Sequence, residues 1–596
     1  MRRRFLIAFA ATILDTIFVG FLFFKTIYLP RRAAAFLDER LASFPVPVHY
    51  EIASVGILPP SLVFETVVVG FPDRFHPATF SSCSVSGVFD YAIRKRGVPR
   101  ISCERAHLML SVPEAVSLPF LDEDRGGSSD TTARHHTLPA FDFSVGEIVA
   151  SFEGRPLAFT VEGGFSGDTL SATVTPRAGA ADAFLTVTVS LGERRGAFIF
   201  NRFPVEPYAR PWLPDEKTYA RGFLSGTLDI AGYPSSDIDV DLSFEEIAVS
   251  HPFLDSAPFL LPFLRMRGAI AADIGRRHLF FNDLVFSIGG IEAHSHGTLT
   301  GNRFDLAISL TGTPLTRLVT VMYNRLFDGF LMEGSLAASV NASGTILPGD
   351  VLLDTIGLSG SLDEARQMSD RLDRFRSGFD FFFTDDDGRA FRVEVKNRGI
   401  SYAPLALLPE YVYRAVVLSE DAGFFLHNGI DFAEMDAAFK DNLTRRELRG
   451  GSTITQQLVK NLFLTRDKTL LRKFRELLLA IELDATLPKE RILEIYLNLI
   501  EWGPGVFGIG NASQHYFGKL PEELMPHEAV WLASIIPNPK RFQHEYLSGN
   551  LSEARTARLQ RLLDLLFQNG YLSGDLYLFS YTAPLLFRHP EEELLP

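Results

Sequence analysis

The chain has 596 residues, of which 46% are apolar and 22% charged, a folded composition that is too long for one ordinary core. About two to four domains are expected. A net charge of −14 with no dominant basic tract argues against nucleic acid as a partner, so any phosphate chemistry must rest on local clusters of Lys and Arg. The 52 phenylalanines suit large cores, and they also suit lipid contact.

Arg2, Arg3 and Arg4 precede a long apolar run from Phe5 to Leu29. A helix needs about 20 apolar residues to cross a bilayer, so residues 5–29 read as a transmembrane anchor. Asp15 interrupts the run and Lys25 lies near its far end. An acid in the membrane is costly; it marks a helix partner or is tolerated in a single tilted helix. Ala33-Ala34-Ala35 imitates a signal-peptide cleavage site, but the run is longer than a signal peptide's usual apolar core and favours an uncleaved anchor. Basic residues on the two flanks nearly balance, with a slight preference for the N-terminus inside.

From about residue 48 to 350 apolar and polar residues alternate. Leu185, Val187, Val189 and Leu191 show the pattern, as do Ile238, Val240, Leu242 and Phe244, and Phe304, Leu306, Ile308 and Leu310. Period two places each set on one face of a strand. Breaks such as Thr300-Gly301-Asn302 separate the strands. Cys83 and Cys103 would form a disulfide worth about 3 kcal/mol if this region is exported, and buried thiols otherwise. The pairs His135-His136 and His294/His296 lack a third ligand, which argues against a metal site. The segments GTLDIAGYPSSDIDVDLSFEEIAV and GTLTGNRFDLAISLTGTPL, within about 220–345, resemble the AsmA-like strand-rich modules of envelope proteins. That resemblance implies a curved sheet with an apolar inner face that handles lipid. A spacer sheet holding a distal domain above the membrane explains the same pattern.

Residues 361–376 read as a charged helix, and Phe379 to Val395 as a hairpin turning at Asp386-Asp387-Gly388. A domain boundary is expected near residues 380–400. Beyond Leu407 the period becomes helical, starting with Leu408-Pro409-Glu410.

Four long motifs then follow in order: SEDAGFFLHNGID at 419–431, RGGSTITQQLVKNLFLT at 449–465, RKFRE at 472–476 and KERILEIYLNLIEWG at 489–503. Together they resemble the glycosyltransferase family 51 domain of peptidoglycan polymerases over about residues 400–570. Order and spacing make this far more specific than any single pattern. Gly510 and Asn511, where the family commonly has Glu-Ala, and Ser419, where Ala is commoner, depart from it without touching the candidate carboxylates.

The resemblance implies a mainly α-helical, lysozyme-like domain that joins the disaccharide of lipid II by inverting displacement of undecaprenyl pyrophosphate. An alcohol nucleophile needs a base, and a pyrophosphate leaving group needs cations. Glu420 is the expected base, with Asp421, Phe424 and Phe425 forming a partly desolvated surround that raises its pKa. Asp421, Phe424 and His427 are expected to bind substrate. Ser452 reads as a helix N-cap, followed by Thr453. Gln456, Gln457 and Lys460 fall within one turn, so they can share a face, with Asn461 adjacent. The resemblance places them in the donor-side cleft. Arg472 and Lys473 meet Glu476 at i, i+4 and i, i+3, opposite an apolar set of Leu470, Phe474, Leu477 and Ile481. Glu476 is the expected second carboxylate, placing the cations or a divalent metal, Mg or Mn, on the pyrophosphate. Glu494, Tyr496 and Asn498 read as architectural. Leu462-Phe463-Leu464 is expected to dip into the outer leaflet.

The expected architecture is therefore multidomain: an N-terminal transmembrane helix at 5–29, a β-rich extracytoplasmic region at 48–350, a helix-and-hairpin linker at 351–395 and the glycosyltransferase domain at 396–575. No Ser-x-x-Lys pattern follows, so a monofunctional enzyme of the bacterial inner membrane is expected, facing the periplasm. Its partners would be lipid II, the growing glycan strand, the membrane and separate transpeptidases. One rival is a glycan-cleaving enzyme, which needs a raised-pKa acid at a glycosidic oxygen and no Lys460, Arg472 and Lys473 cluster. The other is an envelope scaffold or lipid-transfer protein with an inactive transferase domain.

Overall fold

The computed structural model describes residues 34, 38, 48–57, 60–69, 78–86, 100–110, 141–152, 155–177, 180–206, 218–232, 235–251, 254–255, 257–273, 276–321, 327–347, 350–384, 390–396, 402–445, 450–465 and 467–588. The expected anchor at 5–29 lies outside them. Among the described residues no helix is long and apolar enough to cross a membrane. The chain divides into two compact units: Met1–His251 with Ala257–Ile288 and Ser295–Phe304, and Pro252–Ser256 with Gly289–His294 and Asp305–Pro596.

The first unit is built on strands running from β1 (Val48–Ile57) to β13 (His278–Ile288), each paired with the next. Only β4 (Arg100–Leu110) and β5 (Phe141–Phe152) run parallel; the other pairs are antiparallel. A tight hairpin can join antiparallel neighbours, whereas a parallel pair needs a longer connection. The alternation read from sequence orders the faces. Along β11 (Ser235–Ser250), Val240 and Leu242 are buried, Asp239 is exposed and Asp241 accepts from Arg265 at 2.7 Å. Cys83 on β3 (Ala78–Ser86) lies directly opposite Cys103 on β4, and the two form a disulfide in a core with Phe64, Val145 and Ile148.

β14 (Ile291–Thr300) and β15 (Arg303–Pro314) come next in the chain. On β15 Ala307 is buried, whereas of the alternating apolar set Ile308 is 38% exposed and Phe304, Leu306 and Leu310 are half-buried, with Leu310 packed against the helical core.

In the second unit β16 (Met332–Leu347) and β17 (Asp350–Gln367) form a long hairpin. The charged helix expected at 361–376 is a correction: residues up to 367 are strand, and only Asp373–Arg376 make a turn of 3-10 helix. A bulge explains the misreading. Glu364 and Ala365 oppose the single residue Gly334, whose φ of 114° suits glycine and whose Cβ would meet the Asp363 carbonyl at 2.7 Å. The extra residue puts Leu362 and Ala365 on the same inward face, a spacing of three that mimics a helix. β18 (Phe379–Thr384) and β19 (Ala390–Val395) pair as the expected hairpin.

The helices of this unit are α1 (Leu315–Val321), α2 (Glu410–Glu420), α3 (Phe432–Arg445), α4 (Ile454–Phe463), α5 (Leu470–Thr486), α6 (Lys489–Leu499), α7 (Ile509–Phe517), α8 (Pro526–Ile535), α9 (Gln543–Ser548), α10 (Glu553–Gln568) and α11 (Gly574–Thr582). Trp502, Trp531, Tyr496, Tyr516 and Phe424 are fully buried among them. α5 runs through the middle of this core, and Pro488 ends it before α6 begins. The expected division of α5 is corrected: Leu470 is 51% exposed, whereas Glu476 and Glu482 are buried with cations beside them.

β17 is bound to the helices by polar and steric contacts. Asp436 of α3 accepts the Leu358 backbone N–H at 2.8 Å, and the Phe432 ring fills the space that a Cβ on Gly360 would occupy. Fully buried Glu482 accepts from Arg371 Nε at 2.5 Å and Nη2 at 2.7 Å. Leu462, Phe463 and Leu464 pack on the core, with Phe463 edge-on to Phe375 at 5.7 Å, so their apolar surface is partly spent inward.

Candidate active site

Glu420 is the last residue of α2. One of its oxygens, Oε2, accepts from Gln457 Nε2 at 3.0 Å. The other, Oε1, is buried with no hydrogen-bond partner among the described residues. Burial pushes the Glu420 carboxyl up; the Gln457 hydrogen bond, Arg558 and Lys460 pull it back, and Asp421 pushes it further up. A carboxylate with one oxygen committed and the other unbonded keeps a lone pair available for a proton.

The loop after Glu420 turns inward. Asp421 is 8% exposed; it accepts from Ile454 N at 2.9 Å and from His427 Nε2 at 3.0 and 3.1 Å. Phe424 is fully buried, stacked edge-on against Phe425, with Lys489 Nζ 4.5 Å from its ring centre. The side chains of Asp421, Phe424 and His427, expected to bind substrate, are turned inward, with Asp421 and His427 bonded to each other. Gly429 closes the loop at φ 86°, where a Cβ would come within 2.6 Å of the Ala480 carbonyl.

α4 is the wall of the site. Its N-cap is Thr453 and not Ser452: the Thr453 hydroxyl accepts from Gln456 N, and the Gln456 side chain accepts from Thr453 N, making a capping box. A capping box needs the cap and a glutamine three residues on, which Thr453 and Gln456 supply. Thr453 Oγ1 also donates to the Gly429 carbonyl at 2.7 Å. Gln456 is thereby buried with its Oε1 on the Thr453 N–H, while Gln457, next along the helix, reaches Glu420. Lys460 and Asn461 are exposed.

Glu476 forms the second centre. Only 2% exposed, it accepts from Arg472 Nη1 at 2.8 Å and Lys473 Nζ at 2.5 Å, and Lys473 donates also to Ser452 Oγ at 2.8 Å. Arg472 Nε is buried without a hydrogen-bond partner among the described residues. The i, i+3 and i, i+4 spacing thus assembles as expected. Gln457 of α4 touches Glu420, and Ser452, just before the Thr453 cap, accepts from Lys473 of the second centre. Both Glu476 oxygens are occupied by cations, so the donor set does not fit a divalent metal there. Among the described residues no group of three or more His, Cys, Asp and Glu is placed to hold a metal ion.

Sequence reasoning missed several contributors. Asp484 accepts from Lys489 at 2.6 Å and Thr455 at 3.1 Å, and burial pushes its carboxyl up. Arg558, exposed on α10, acts electrostatically on Glu420 from outside the four motifs. Tyr496, read as architectural, donates to Gln457 Oε1 at 2.8 Å. Glu494 and Asn498 are architectural as expected, holding Leu405 N and Ala403 N, each at 2.8 Å. The missed residues carry no spacing signal, because they converge from separate helices.

The transglycosylase family model matches residues 388–564 and leaves the chain before 388 outside it. Among curated proteins, the biosynthetic peptidoglycan transglycosylase of Nitrosomonas eutropha is 45% identical over 171 residues, 28% of this chain and 69% of the relative. That of Rhodospirillum centenum is 40% identical over 169 residues, 28% of this chain and 73% of the relative. That of Nitrosomonas europaea is 53% identical over 134 residues, 22% of this chain and 55% of the relative.

Proposed function

The chain belongs to the family of biosynthetic peptidoglycan transglycosylases, and from that premise we propose that its helical unit polymerises lipid II into β-1,4-linked glycan. It is a peptidoglycan glycosyltransferase. The acceptor's 4-hydroxyl gives its proton to Glu420 Oε1 while its oxygen bonds to C1 of the donor sugar. The bond from C1 to the undecaprenyl pyrophosphate oxygen breaks, and the electron pair leaves with the pyrophosphate. Arg472 and Lys473, held by Glu476, face that charge. One displacement at an α-linked donor inverts it and yields the β bond.

The observation that carries this reading is the division of labour between two carboxylates. Glu420 has one oxygen with no hydrogen-bond partner among the described residues, and Glu476 has both oxygens engaged with cations. A hydrolase acting on a glycosidic bond has no use for the cationic centre, and an inactive scaffold has no use for the unbonded oxygen. We further propose that residues 5–29 anchor the chain in the bacterial inner membrane, with both units on the periplasmic side. Substrate and enzyme would then meet in two dimensions, with separate transpeptidases cross-linking the strands. The β-rich unit serves there as a spacer or lipid-handling sheet.

The test is polymerisation of labelled lipid II by the purified chain beside Glu420→Gln. Muramidase-sensitive polymer from the wild type, reduced about 100-fold or more in the variant, is expected for loss of a general base. A folded wild type that makes no polymer in lipid would refute the reading.

A further inference from the structure

Tyr496 sits on α6, fully buried, with no surface on which to meet a substrate. Its hydroxyl donates to Gln457 Oε1 at 2.8 Å, and Gln457 Nε2 donates to Glu420 Oε2 at 3.0 Å. A glutamine amide has one accepting end and one donating end. A buried phenol pointed at the oxygen end leaves the NH2 end for the carboxylate. With the amide reversed, a carbonyl would face a carboxylate and two acceptors would be set against each other.

We propose that Tyr496 is a positioning residue for the transfer reaction: through Gln457 it orients Glu420 and leaves Oε1 as the oxygen that takes the acceptor's proton. This rests on the reading of Glu420 as the base. Three helices contribute one group each, Glu420 from α2, Gln457 from α4 and Tyr496 from α6. The relay runs in one direction, phenol to amide to carboxylate, and ends on Oε2, while Oε1 has no hydrogen-bond partner among the described residues.

The relay has a signature in the pH profile. The charged groups acting on Glu420 are Asp421 beside it, Lys460 on α4 and Arg558 on α10, with the Tyr496 phenol on α6. Tyr496→Phe leaves the three charges in place and removes the tether on Gln457. An amide N–H on the carboxylate favours its charged form, so losing that bond moves the Glu420 carboxyl up. The base must be unprotonated to act, so the acidic limb of kcat/KM moves to higher pH.

The experiment measures kcat/KM for lipid II polymerisation against pH for the full chain and for Tyr496→Phe, Gln457→Met and the double variant, with thermal midpoints alongside. The expected result is a limb shifted upward by roughly one pH unit, the size of one hydrogen bond to a charged group. The shift should be the same in both single variants, with no further shift in the double variant. A limb that stays at the wild-type position in Tyr496→Phe, whatever the midpoint does, overturns the inference. So does a shift seen in Gln457→Met alone. Polymerisation retained by Glu420→Gln overturns the base reading itself, and the relay with it.

Discussion

Glu420 is placed against its own stability. Its carboxyl is pushed up by burial, so its folded value lies above its unfolded one. A group shifted in that direction stabilises below its unfolded pKa and loses that contribution as pH rises through the folded pKa. Glu420→Gln has nothing to lose over that window. Its thermal midpoint is expected to exceed the wild type's by on the order of a few degrees at alkaline pH. The gap should close below the ordinary carboxylate range; a gap independent of pH would contradict the account. At this scale the sequence was legible in residue identity and much less in orientation. The motifs named the residues that the structure pairs, Gln457 with Glu420, and Arg472 and Lys473 with Glu476. They did not reveal that Asp421, Phe424, His427 and Gln456 turn inward. A motif records which residue types stand at which spacing, and a buried support and a substrate contact leave the same trace.

Among the elements, α4 carries the most consequence, because Ile454 and Gln457 near its start hold Asp421 and Glu420, and Ser452 just before its cap meets Lys473. Thr453→Ala removes the cap and the hydrogen bond to Gly429, with an expected loss of about 1–2 kcal/mol. Thr453→Ser should keep most of that stability, and chemical denaturation of the two variants distinguishes them. Strand content was readable from period two, and the helical unit from its motifs and caps. The β17 bulge was not, because one inserted residue shifts the parity of the strand and produces helical spacing. On β15 the alternation was legible, but alternation does not say how completely a face is covered: Ile308 is exposed while Leu310 packs on the core.

In the whole molecule, two cores rest on different supports. The strand-rich unit has the Cys83–Cys103 disulfide within its core, closing a sequence separation of 20. Reducing that bond should cost the unit about 3 kcal/mol. Limited proteolysis should then cut the strand-rich unit faster while polymerisation by the helical unit persists. Equal loss of both would show that the two cores are not independent. In the helical unit the corresponding weak point is ionic. Arg371→Met leaves Glu482 as a buried charge without its main partner, an expected loss of about 3–5 kcal/mol in denaturant unfolding.

Sequence kinship to the transferases begins at residue 388, yet the fold cannot be cut there. Leu358, Gly360 and Arg371 lie upstream of that point, and each completes a contact in the helical unit. A fragment excised at 388 would leave Asp436 without its backbone donor, Phe432 without its seat and Glu482 without its cation. The smallest autonomous enzyme therefore begins no later than β17. Any exchange of catalytic domains between such proteins has to carry that strand across as part of the cargo.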